Sequence, residues 1–386
     1  MLYISRFIGG LTAAVMLFCF TAQASAEETS MDEIVEKMPA KSIAVAECTT
    51  GQMLYEKNAD EPLPISHLAK LMLLLLTAEK LENGSLSMDD IVTVSANANE
   101  MPAPQVWLDK GEKISVEELI KALTVGNAND AAVALAEHIY GNTDSAVYEM
   151  NCKAKLLDMQ NTAFSDVCGI DDSTVSSTSD IVKLAAELVK YDILTPYFCS
   201  WLDYIRDGKA ELVNRNRLVR SYKGIAGMKA CGSENAGECG IFTAEKRGMK
   251  IAVVVLGCDS RDNLDDIAKK LLDSCYDSFS VYIPEVDDDM TKDLPVEGGE
   301  KRTVPVTFGE MTPVLIKKGS SKDFDVEMTC EEVLKAPIEK GKCCGKLVVR
   351  DGEDTVFQAD LLTNESVKEI SFAFCLRKML LYFLKM

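Results

Sequence analysis

The spacing of apolar residues predicts an N-terminal part in which helices and strands are mixed. Apolar residues over 43–45 and 53–55 lie on either side of a turn-like stretch at 49–51, which indicates a β-hairpin. From 66 to 82 the pattern is helical and mostly apolar, and Asn83 and Gly84 are typical of a helix C-terminus. We therefore expect a buried helix soon after the first hairpin.

Further helices and a second hairpin are predicted along the same part of the chain. The helices are predicted over 115–123, 129–140, 181–191 and 263–276. The first opens with capping-box spacing, Gly141 closes the second, and Ser179 is the predicted cap of the third. Residues 238–244 and 249–257 have the pattern of antiparallel strands joined by a tight turn at 245–248. This organisation continues to about residue 280.

The pattern changes at 284–289, a charged and helix-poor stretch. Short β-type runs follow at 303–308, 313–316, 324–328, 344–349 and 356–359, separated by turns rich in glycine and charge. Such runs are typical of a small β-sandwich. We place the boundary near 280–295, with one domain over 27–283 and a β-rich domain over 295–365.

The two ends of the chain have patterns of their own. Arg6, an apolar run over 7–20 and the Ala-x-Ala ending at residue 26 predict a signal peptide over 1–26 and export to the outer face of the cytoplasmic membrane. A retained anchor is the alternative, although the run is short for a span. Residues 369–386 combine aromatic and basic residues, which predicts an amphipathic helix on a membrane surface. The alternative is a terminal helix docked on the body.

Composition narrows the classes of ligand. The 386 residues carry a net charge of −20, and such an acidic chain repels phosphate, which argues against nucleic acid as a partner. The 13 cysteines are scattered without a C-x-x-C repeat, and His67 and His138 are the only histidines, so we predict no metal site and no cofactor. Disulfides and free thiols both remain open.

Short motifs spread over nearly the whole mature chain resemble those of one family. They are LYEKNAD at 54–60, PISHLAKLM at 64–72, GEKISVEEL at 111–119, NDAAVALAE at 129–137, NRNRL at 214–218 and, less specifically, APIEKG at 336–341. The chain resembles a D-alanyl-D-alanine carboxypeptidase, one of the low-molecular-mass penicillin-binding proteins that trim peptidoglycan stem peptides. The resemblance implies an α+β fold, with a penicillin-binding/β-lactamase-like domain (an antiparallel sheet flanked by helices, and a helical subdomain) followed by a small β-sandwich.

The resemblance places the family's Ser-x-x-Lys box at 67–70, where the serine is missing. In the family this serine is the nucleophile, and the lysine one helical turn later helps to activate it. Lys70 is retained, but His67 stands at the nucleophile position. Ser66 is an alternative nucleophile, although a shift of one residue turns a helical side chain by about 100°. Its other interpretation is the N-cap of the helix.

His67 allows two interpretations. As a neutral imidazole near a helix N-terminus and Lys70, it is a candidate general base that activates water without a covalent intermediate. Alternatively, it is a polar residue that fills a vacated site. The sequence supplies no partner that would orient the ring.

The second box, Ser-x-Asn in the family, is also altered. It is Asn127-Ala128-Asn129 in this chain. Asn129 keeps the amide that would hold a substrate backbone, whereas Asn127 has no hydroxyl and cannot relay a proton as serine would. Turn and cap roles at the start of the following helix are the alternative for both asparagines.

The third box, usually Lys-Thr-Gly, is Lys229-Ala230-Cys231. The resemblance implies that Lys229 attracts a substrate carboxylate, while Ala230 lacks the hydroxyl that would bind it. Cys231 puts a side chain where glycine lets the strand lie close to a ligand. A nucleophilic thiol at Cys231 and a structural thiol are both possible roles. The locally basic stretch formed by Arg215, Arg217, Arg220, Lys223 and Lys229 suits an anionic ligand or a solvated face.

The loss of hydroxyl groups from all three boxes predicts a change of function on a retained scaffold. Covalent catalysis needs a nucleophile, a proton relay and substrate orientation that act as a unit. Our leading hypothesis is an exported, membrane-associated homologue of the carboxypeptidases that is inactive or weakly active and binds peptidoglycan stem peptides or an envelope protein. The alternatives are an active D-Ala-D-Ala carboxypeptidase that uses Ser66 or unorthodox chemistry, and a structural envelope protein whose cleft binds nothing.

Overall fold

A five-stranded antiparallel sheet is the centre of the N-terminal part of the molecule. The computed structural model describes residues 30–282, 292–309, 313–318, 324–351 and 354–384, so the predicted signal peptide and the stretch at 284–289 lie outside the described residues. The strands are β1 (Ser42–Glu47), β2 (Met53–Lys57), β3 (Leu63–Pro64), β4 (Ile91–Thr93), β5 (Lys113–Ser115), β6 (Val175–Ser176), β7 (Leu202–Ile205), β8 (Ala210–Val213), β9 (Ile225–Ser233), β10 (Gly237–Lys246), β11 (Met249–Cys258) and β12 (Phe279–Tyr282). The central sheet has the order β2-β1-β11-β10-β9.

Helices cover both faces of this sheet. They are α1 (Met31–Glu36), α2 (Lys70–Glu82), α3 (Ala96–Asn99), α4 (Val116–Thr124), α5 (Asn129–Tyr140), α6 (Thr143–Leu156), α7 (Thr178–Leu188), α8 (Thr195–Phe198), α9 (Leu218–Ser221) and α10 (Arg261–Ser278), with 3-10 turns at Ser66–Ala69 and Asp192–Leu194. Residues of α2, α4 and α5 belong to the core on one face, and residues of α1 and α10 to the core on the other. Side chains alternate along a strand, so neighbouring residues of β9 enter different halves of the core.

The predicted hairpins and helices of this part are confirmed, with small shifts at their ends. The hairpins are β1–β2 and β10–β11, and the helix predicted over 129–140 has the bounds of α5. Ser115 and Glu118 form the predicted capping box at the start of α4. Helix α6 is absent from the sequence prediction because its buried positions, Ala146, Met150 and Ala154, form only a weak apolar stripe.

The cap predicted for α7 is wrong. Ser177, not Ser179, precedes this helix, and its side chain accepts a hydrogen bond from the backbone N–H of Asp180. Both serines satisfy the pattern of a cap residue, and the helix begins at the earlier one because Thr178 is already buried in the core.

Short strands build the C-terminal part, as the sequence predicts. They are β13 (Leu294–Glu297), β14 (Thr303–Val304), β15 (Val306–Phe308), β16 (Val314–Lys317), β17 (Asp325–Cys330), β18 (Leu334–Lys335), β19 (Cys343–Asp351) and β20 (Asp354–Thr363). One sheet has the order β14-β13-β18, another has the order β15-β20-β19-β17, and β16 pairs with β12 of the N-terminal part. The mixed helix-and-sheet class with a β-rich C-terminal domain is confirmed.

Helix α11 (Phe372–Phe383) forms within the predicted tail. None of its residues is buried, and Phe372 and Phe383 are 84% and 67% exposed. The alternative of a terminal helix docked on the body is therefore wrong. Nowhere in the described ranges is a helix both long and apolar enough to cross a membrane.

All twelve cysteines in the described residues carry free thiols. Most of those in the N-terminal part are buried, and they pack as small apolar side chains in both halves of the core. Of the two alternatives for the scattered cysteines, disulfides and free thiols, the described residues show free thiols.

Candidate functional site

The lysine of the first box lies at the start of α2 and is fully buried. Its Nζ donates a hydrogen bond to the backbone oxygen of Asn127, at 2.5 Å, and lies 3.5 Å from Asn127 Oδ1. Burial lowers the pKa of Lys70 to about 8, although the nearby thiols of Cys168 and Cys231 act to raise it. The first and second boxes therefore meet through an ammonium group and a main-chain carbonyl.

The asparagines of the second box do not cap α5. Ala128 is the N-cap residue, and no side chain bonds there to the helix N-terminus. Asn127 has a left-handed backbone, with φ of 55°, and its buried Nδ2 has no hydrogen-bond partner among the described residues. Asn129 Nδ2 donates to Pro102 O at 2.8 Å, while the described ranges offer Asn129 Oδ1 no partner. The cap role considered for the two residues is therefore wrong. Each of them has one buried polar atom that is unsatisfied among the described residues.

The third box lies on β9, where Lys229 and Cys231 face the first box and Ala230 faces the opposite side of the sheet. Lys229 Nζ donates to Leu123 O at 2.9 Å, and burial together with the charge of Lys70 lowers the pKa of Lys229 far below its ordinary value. Ala230 packs on the opposite face of the sheet, in the half of the core that contains α10. The Ala230 side chain therefore does not join the site, because it alternates with its neighbours along the strand.

Cys231 fills the space between β9 and the first box. Its Sγ lies 4.0 Å from the backbone oxygen of Ile65, and the residue is completely buried. Burial raises the pKa of the Cys231 thiol, although Lys229, Lys70 and the Ser66 hydroxyl act to lower it. A thiol that stays protonated is a poor nucleophile, so the structure favours a packing role for Cys231.

Ser66 is the first residue of the 3-10 turn and not its cap. Ile65 holds the N-cap position, without a side-chain hydrogen bond, so the cap interpretation of Ser66 is wrong. The Ser66 hydroxyl is buried and faces the Cys231 thiol, and within the part of the chain that the structure describes it forms no hydrogen bond of ordinary geometry. Its backbone is left-handed, with φ of 49°, which is a strained conformation for a residue other than glycine.

His67 has the orienting partner that the sequence does not reveal. Its Nδ1 lies 2.9 Å from the backbone oxygen of Cys168. A carbonyl can only accept, so Nδ1 carries the hydrogen and Nε2 keeps its lone pair. Burial first, and then the charge of Lys70, lowers the pKa of His67 to about 3, so the ring is neutral at physiological pH.

The loop that presents the Cys168 carbonyl was absent from the sequence prediction. The carboxylate of Asp166 accepts hydrogen bonds from the backbone N–H groups of Cys168 and Gly169, both at 2.6 Å, and of Asp171, at 2.9 Å. Gly169, with φ of 69°, lies against the backbone of Ser66. An aspartate three residues before a glycine is the only signal in the sequence that could have indicated this turn.

Most of the predicted site residues come together, although only one reaches the surface. His67 lies within electrostatic range of Lys70 and Lys229, and Lys70 within range of Cys231. Exposed fractions are 5% for Ser66, 0% for Lys70, 2% for Asn127, 0% for Asn129, 3% for Lys229 and 0% for Cys231, whereas His67 is partly exposed. The imidazole is therefore the part of this cluster that a ligand would meet first.

The arginines of the basic stretch interact mainly with the protein itself. Arg217 Nη1 lies 2.6 Å from an oxygen of Asp262, on α10. The Arg220 guanidinium lies over the ring of Trp201, 4.7 Å from its centroid. Arg215 Nη2 lies 3.8 Å from an oxygen of Glu238, and it remains close enough to lower the pKa of His67.

Comparison with known proteins identifies the scaffold. Residues 25–260 match the family model described as D-alanyl-D-alanine carboxypeptidase, and residues 282–369 match that of the penicillin-binding protein 5 C-terminal domain. The chain is 31% identical over 378 residues to D-alanyl-D-alanine carboxypeptidase DacF of Bacillus subtilis (strain 168), covering 97% of each chain. It is 28% identical to DacC of Escherichia coli (strain K12), covering 95% of this chain and 94% of that protein.

A solved structure agrees with these sequence matches. Penicillin-binding protein 5 from Haemophilus influenzae superposes with a TM-score of 0.77 at 25% identity, over 86% of this chain and 98% of that one. The penicillin-binding domain and the β domain predicted from the motifs are confirmed. The chain belongs to the D-alanyl-D-alanine carboxypeptidase family of penicillin-binding proteins.

Proposed function

We propose that this protein is an exported binding member of its family, inactive or nearly inactive as a serine peptidase, whose cleft holds peptidoglycan stem peptides. The observation that carries the proposal is His67, which occupies the nucleophile position as a neutral ring tied to the Cys168 carbonyl at 2.9 Å. An imidazole held by its Nδ1–H has no hydroxyl with which to form an acyl-enzyme.

The surroundings of His67 support the loss of covalent chemistry. Lys70 donates to the Asn127 backbone, so its proton is shared with a carbonyl that cannot pass it on. Asn127 supplies an amide where the family has a relaying hydroxyl, and Cys231 fills the space where the family has glycine. A nucleophile, a relay and a substrate channel act as a unit, so their combined loss is expected to be more severe than any single loss.

The retained lysines support a binding role. Lys70 and Lys229 are buried close together, and their hydrogen bonds run to main-chain oxygens of Asn127 and Leu123. Burial disfavours the charged form of both lysines and lowers their pKa, and a ligand carboxylate would offset that cost. A stem peptide ends in a carboxylate, whose negative charge would pair with these lysines.

A second candidate is an active carboxypeptidase that uses Ser66. The buried Ser66 hydroxyl without a hydrogen-bond partner favours this candidate, because an unused polar group at a strained residue often marks function. Water activated by His67 Nε2 is the other unorthodox route, and its lone pair is free to accept a proton.

Three measurements separate these candidates: adduct formation, D-alanine release and peptide binding. The protein is incubated with a fluorescent penicillin and analysed by intact mass, and release of D-alanine from a D-Ala-D-Ala pentapeptide is followed in parallel. We expect no adduct, no release, and saturable binding of the pentapeptide by calorimetry. An adduct that disappears in Ser66→Ala would establish the second candidate, and D-alanine release without an adduct would point to His67. Absence of any peptide binding would leave a structural envelope protein.

Export and membrane association complete the proposal. The family match begins at residue 25, beside the predicted cleavage point, which supports removal of residues 1–26. Helix α11 exposes apolar and aromatic side chains along its length, and Arg377 and Lys378 give it positive charge, which supports binding to an anionic membrane surface. Flotation with anionic vesicles tests this, and a variant that ends at residue 369 is expected to stay with the unbound fraction.

A further inference from the structure

An exposed tryptophan lies on the segment that covers the second box. The backbone N–H of Asn129 donates to Pro104 O at 2.6 Å, so this segment packs directly on the site. Three residues beyond Pro104, Trp107 is 73% exposed and has a left-handed backbone, with φ of 52°. A large apolar ring in water and a left-handed bulky residue are both unfavourable, so the rest of the protein must hold this conformation.

A buried carboxylate fixes the backbone on both sides of Trp107. Asp130, in the first turn of α5, accepts hydrogen bonds from Val106 N at 3.1 Å and from Leu108 N at 3.0 Å. Leu108 O in turn accepts from Asn99 Nδ2 at 2.7 Å. The residues on either side of Trp107 are therefore held by two helices at once, and their backbone groups are already paired.

An arginine holds the same segment from the other side. Arg206 Nη1 donates to Val106 O at 2.9 Å, and Arg206 Nη2 donates to Trp107 O at 2.8 Å. Glu112 fixes the guanidinium with two hydrogen bonds, of 2.7 and 2.9 Å. This pair raises the pKa of Arg206 and lowers that of Glu112, so the clamp stays charged.

The indole N–H is satisfied inside the protein. With the Gln105 amide oriented to satisfy both of its groups, its oxygen accepts from Trp107 Nε1 at 3.0 Å and its nitrogen donates to Met101 O at 2.6 Å. The ring is thereby fixed, and what it offers to solvent is a flat aromatic face. Strained, rigidly held residues of this kind are typical of ligand clamps.

We propose that Trp107 is a stacking platform for a sugar ring of the peptidoglycan glycan strand, next to the cleft that holds the stem peptide. This inference rests on the proposed function, because in the polymer the stem peptide is attached to such a sugar. A pyranose ring presents a flat face of C–H groups, which matches an indole whose polar atom is occupied.

Other occupants fit the clamp less well. An extended peptide binds through backbone hydrogen bonds, and the N–H and C=O groups of Val106 and Leu108 are already bonded within the protein. Stacked nucleic-acid bases would bring phosphates to a chain with a net charge of −20. A sugar face needs neither a free backbone edge nor a positive surface.

The test compares two probes on the full-length mature protein. One is the pentapeptide ending in D-Ala-D-Ala, and the other is the same peptide attached to its disaccharide. We expect calorimetry to show that the wild-type protein binds the disaccharide peptide about five- to tenfold more tightly than the free peptide. Trp107→Ala removes this gain and leaves the Kd of the free peptide unchanged, whereas Trp107→Phe keeps part of it. Tyr148→Ala, which removes another exposed aromatic residue, is the matched control and leaves both affinities unchanged.

The positioning role of the clamp has a separate readout. The chain has two tryptophans, so in Trp201→Phe the fluorescence comes from Trp107 alone. We expect the disaccharide peptide to change this emission while the free peptide does not. Arg206→Gln lowers the anisotropy of Trp107 and also lowers the disaccharide gain.

Each contrary result has a distinct meaning. Equal affinity of the wild-type protein for the two probes overturns the sugar platform and leaves stem-peptide binding intact. A Trp107→Ala variant that weakens both probes equally would place the ring against the peptide, and it also overturns the platform. If neither probe binds, the proposed function and the platform fail together.

Discussion

The Nδ1 atom of His67 lies 2.9 Å from the backbone oxygen of Cys168. This contact joins the first box to a loop that lies outside the motifs named above, and it fixes the tautomer of the ring at the predicted nucleophile position. The loop is built around Asp166, which accepts hydrogen bonds from several of its backbone N–H groups. The side chain of His67 is therefore integrated into the fold.

Titration of His67 should destabilise the protein in mild acid. Its pKa is 6.5 when exposed and about 3 in the fold, so between these values the unfolded chain binds the extra proton. The contribution of neutral His67 to the free energy of unfolding is fully present above pH 6.5, and it is lost progressively as the pH decreases towards 3. Urea unfolding at pH 7.5, 6 and 5 should show a decline that is smaller in His67→Gln. Parallel declines in the two proteins would refute the lowered pKa.

Restoring the nucleophile alone should not restore acylation. In His67→Ser a hydroxyl stands at position 67, but Asn127 still has no hydroxyl to relay a proton and the Cys231 side chain still packs against the backbone of Ile65. We expect the triple variant His67→Ser, Asn127→Ser, Cys231→Gly to react with fluorescent penicillin about 10²–10⁴ times faster than His67→Ser, the range typical of a proton relay. Position 230 is left unchanged because its side chain faces the other half of the core. Equal rates for the single and triple variants would contradict this view.

Gly169 should be the least tolerant glycine near the site. A Cβ there would lie 1.8 Å from the backbone oxygen of Ser66, and φ is 69°. We expect Gly169→Ala to reduce the free energy of unfolding by about 3 kcal/mol or more, because a backbone clash adds to the left-handed strain. Gly84→Ala is the matched control: φ is 74° and nothing lies within 4 Å, so only the strain, about 1–2 kcal/mol, applies. Similar losses in the two variants, measured by urea unfolding, would rule out the close contact.

Ser66 should be replaceable without loss of stability. Its hydroxyl is buried without a partner, so Ser66→Ala removes an unsatisfied group and is expected to be neutral or stabilising by about 1 kcal/mol. Ser66→Gly also relieves the left-handed strain at φ of 49° and should stabilise by a similar amount. Thermal unfolding measures both effects. A marked destabilisation by either change would show that the hydroxyl has a partner in solution.

Features that depend on side-chain type could be predicted from the sequence. Contacts to main-chain carbonyls could not. The sequence reveals the three boxes, the hydroxyl groups missing from them and most of the helices. These features follow from the spacing of apolar residues and of motif residues, which is a property of side chains. The partner of His67 is a carbonyl, as are the partners of Lys70 and Lys229, and every residue has a carbonyl. The direction of Ala230 depends on the register of β9, which the motif does not specify.

The exposure of helix α11 has a consequence for the stability of the tail. It is twelve residues long, and none of them is buried. An isolated helix of that length is marginal in water, because most helical stability comes from packing an apolar face. We therefore expect the helicity of this tail to rise when a surface covers its apolar side chains. If that surface is a bilayer, the tail becomes helical when the protein binds it, and the helicity of the tail distinguishes membrane-bound from free protein.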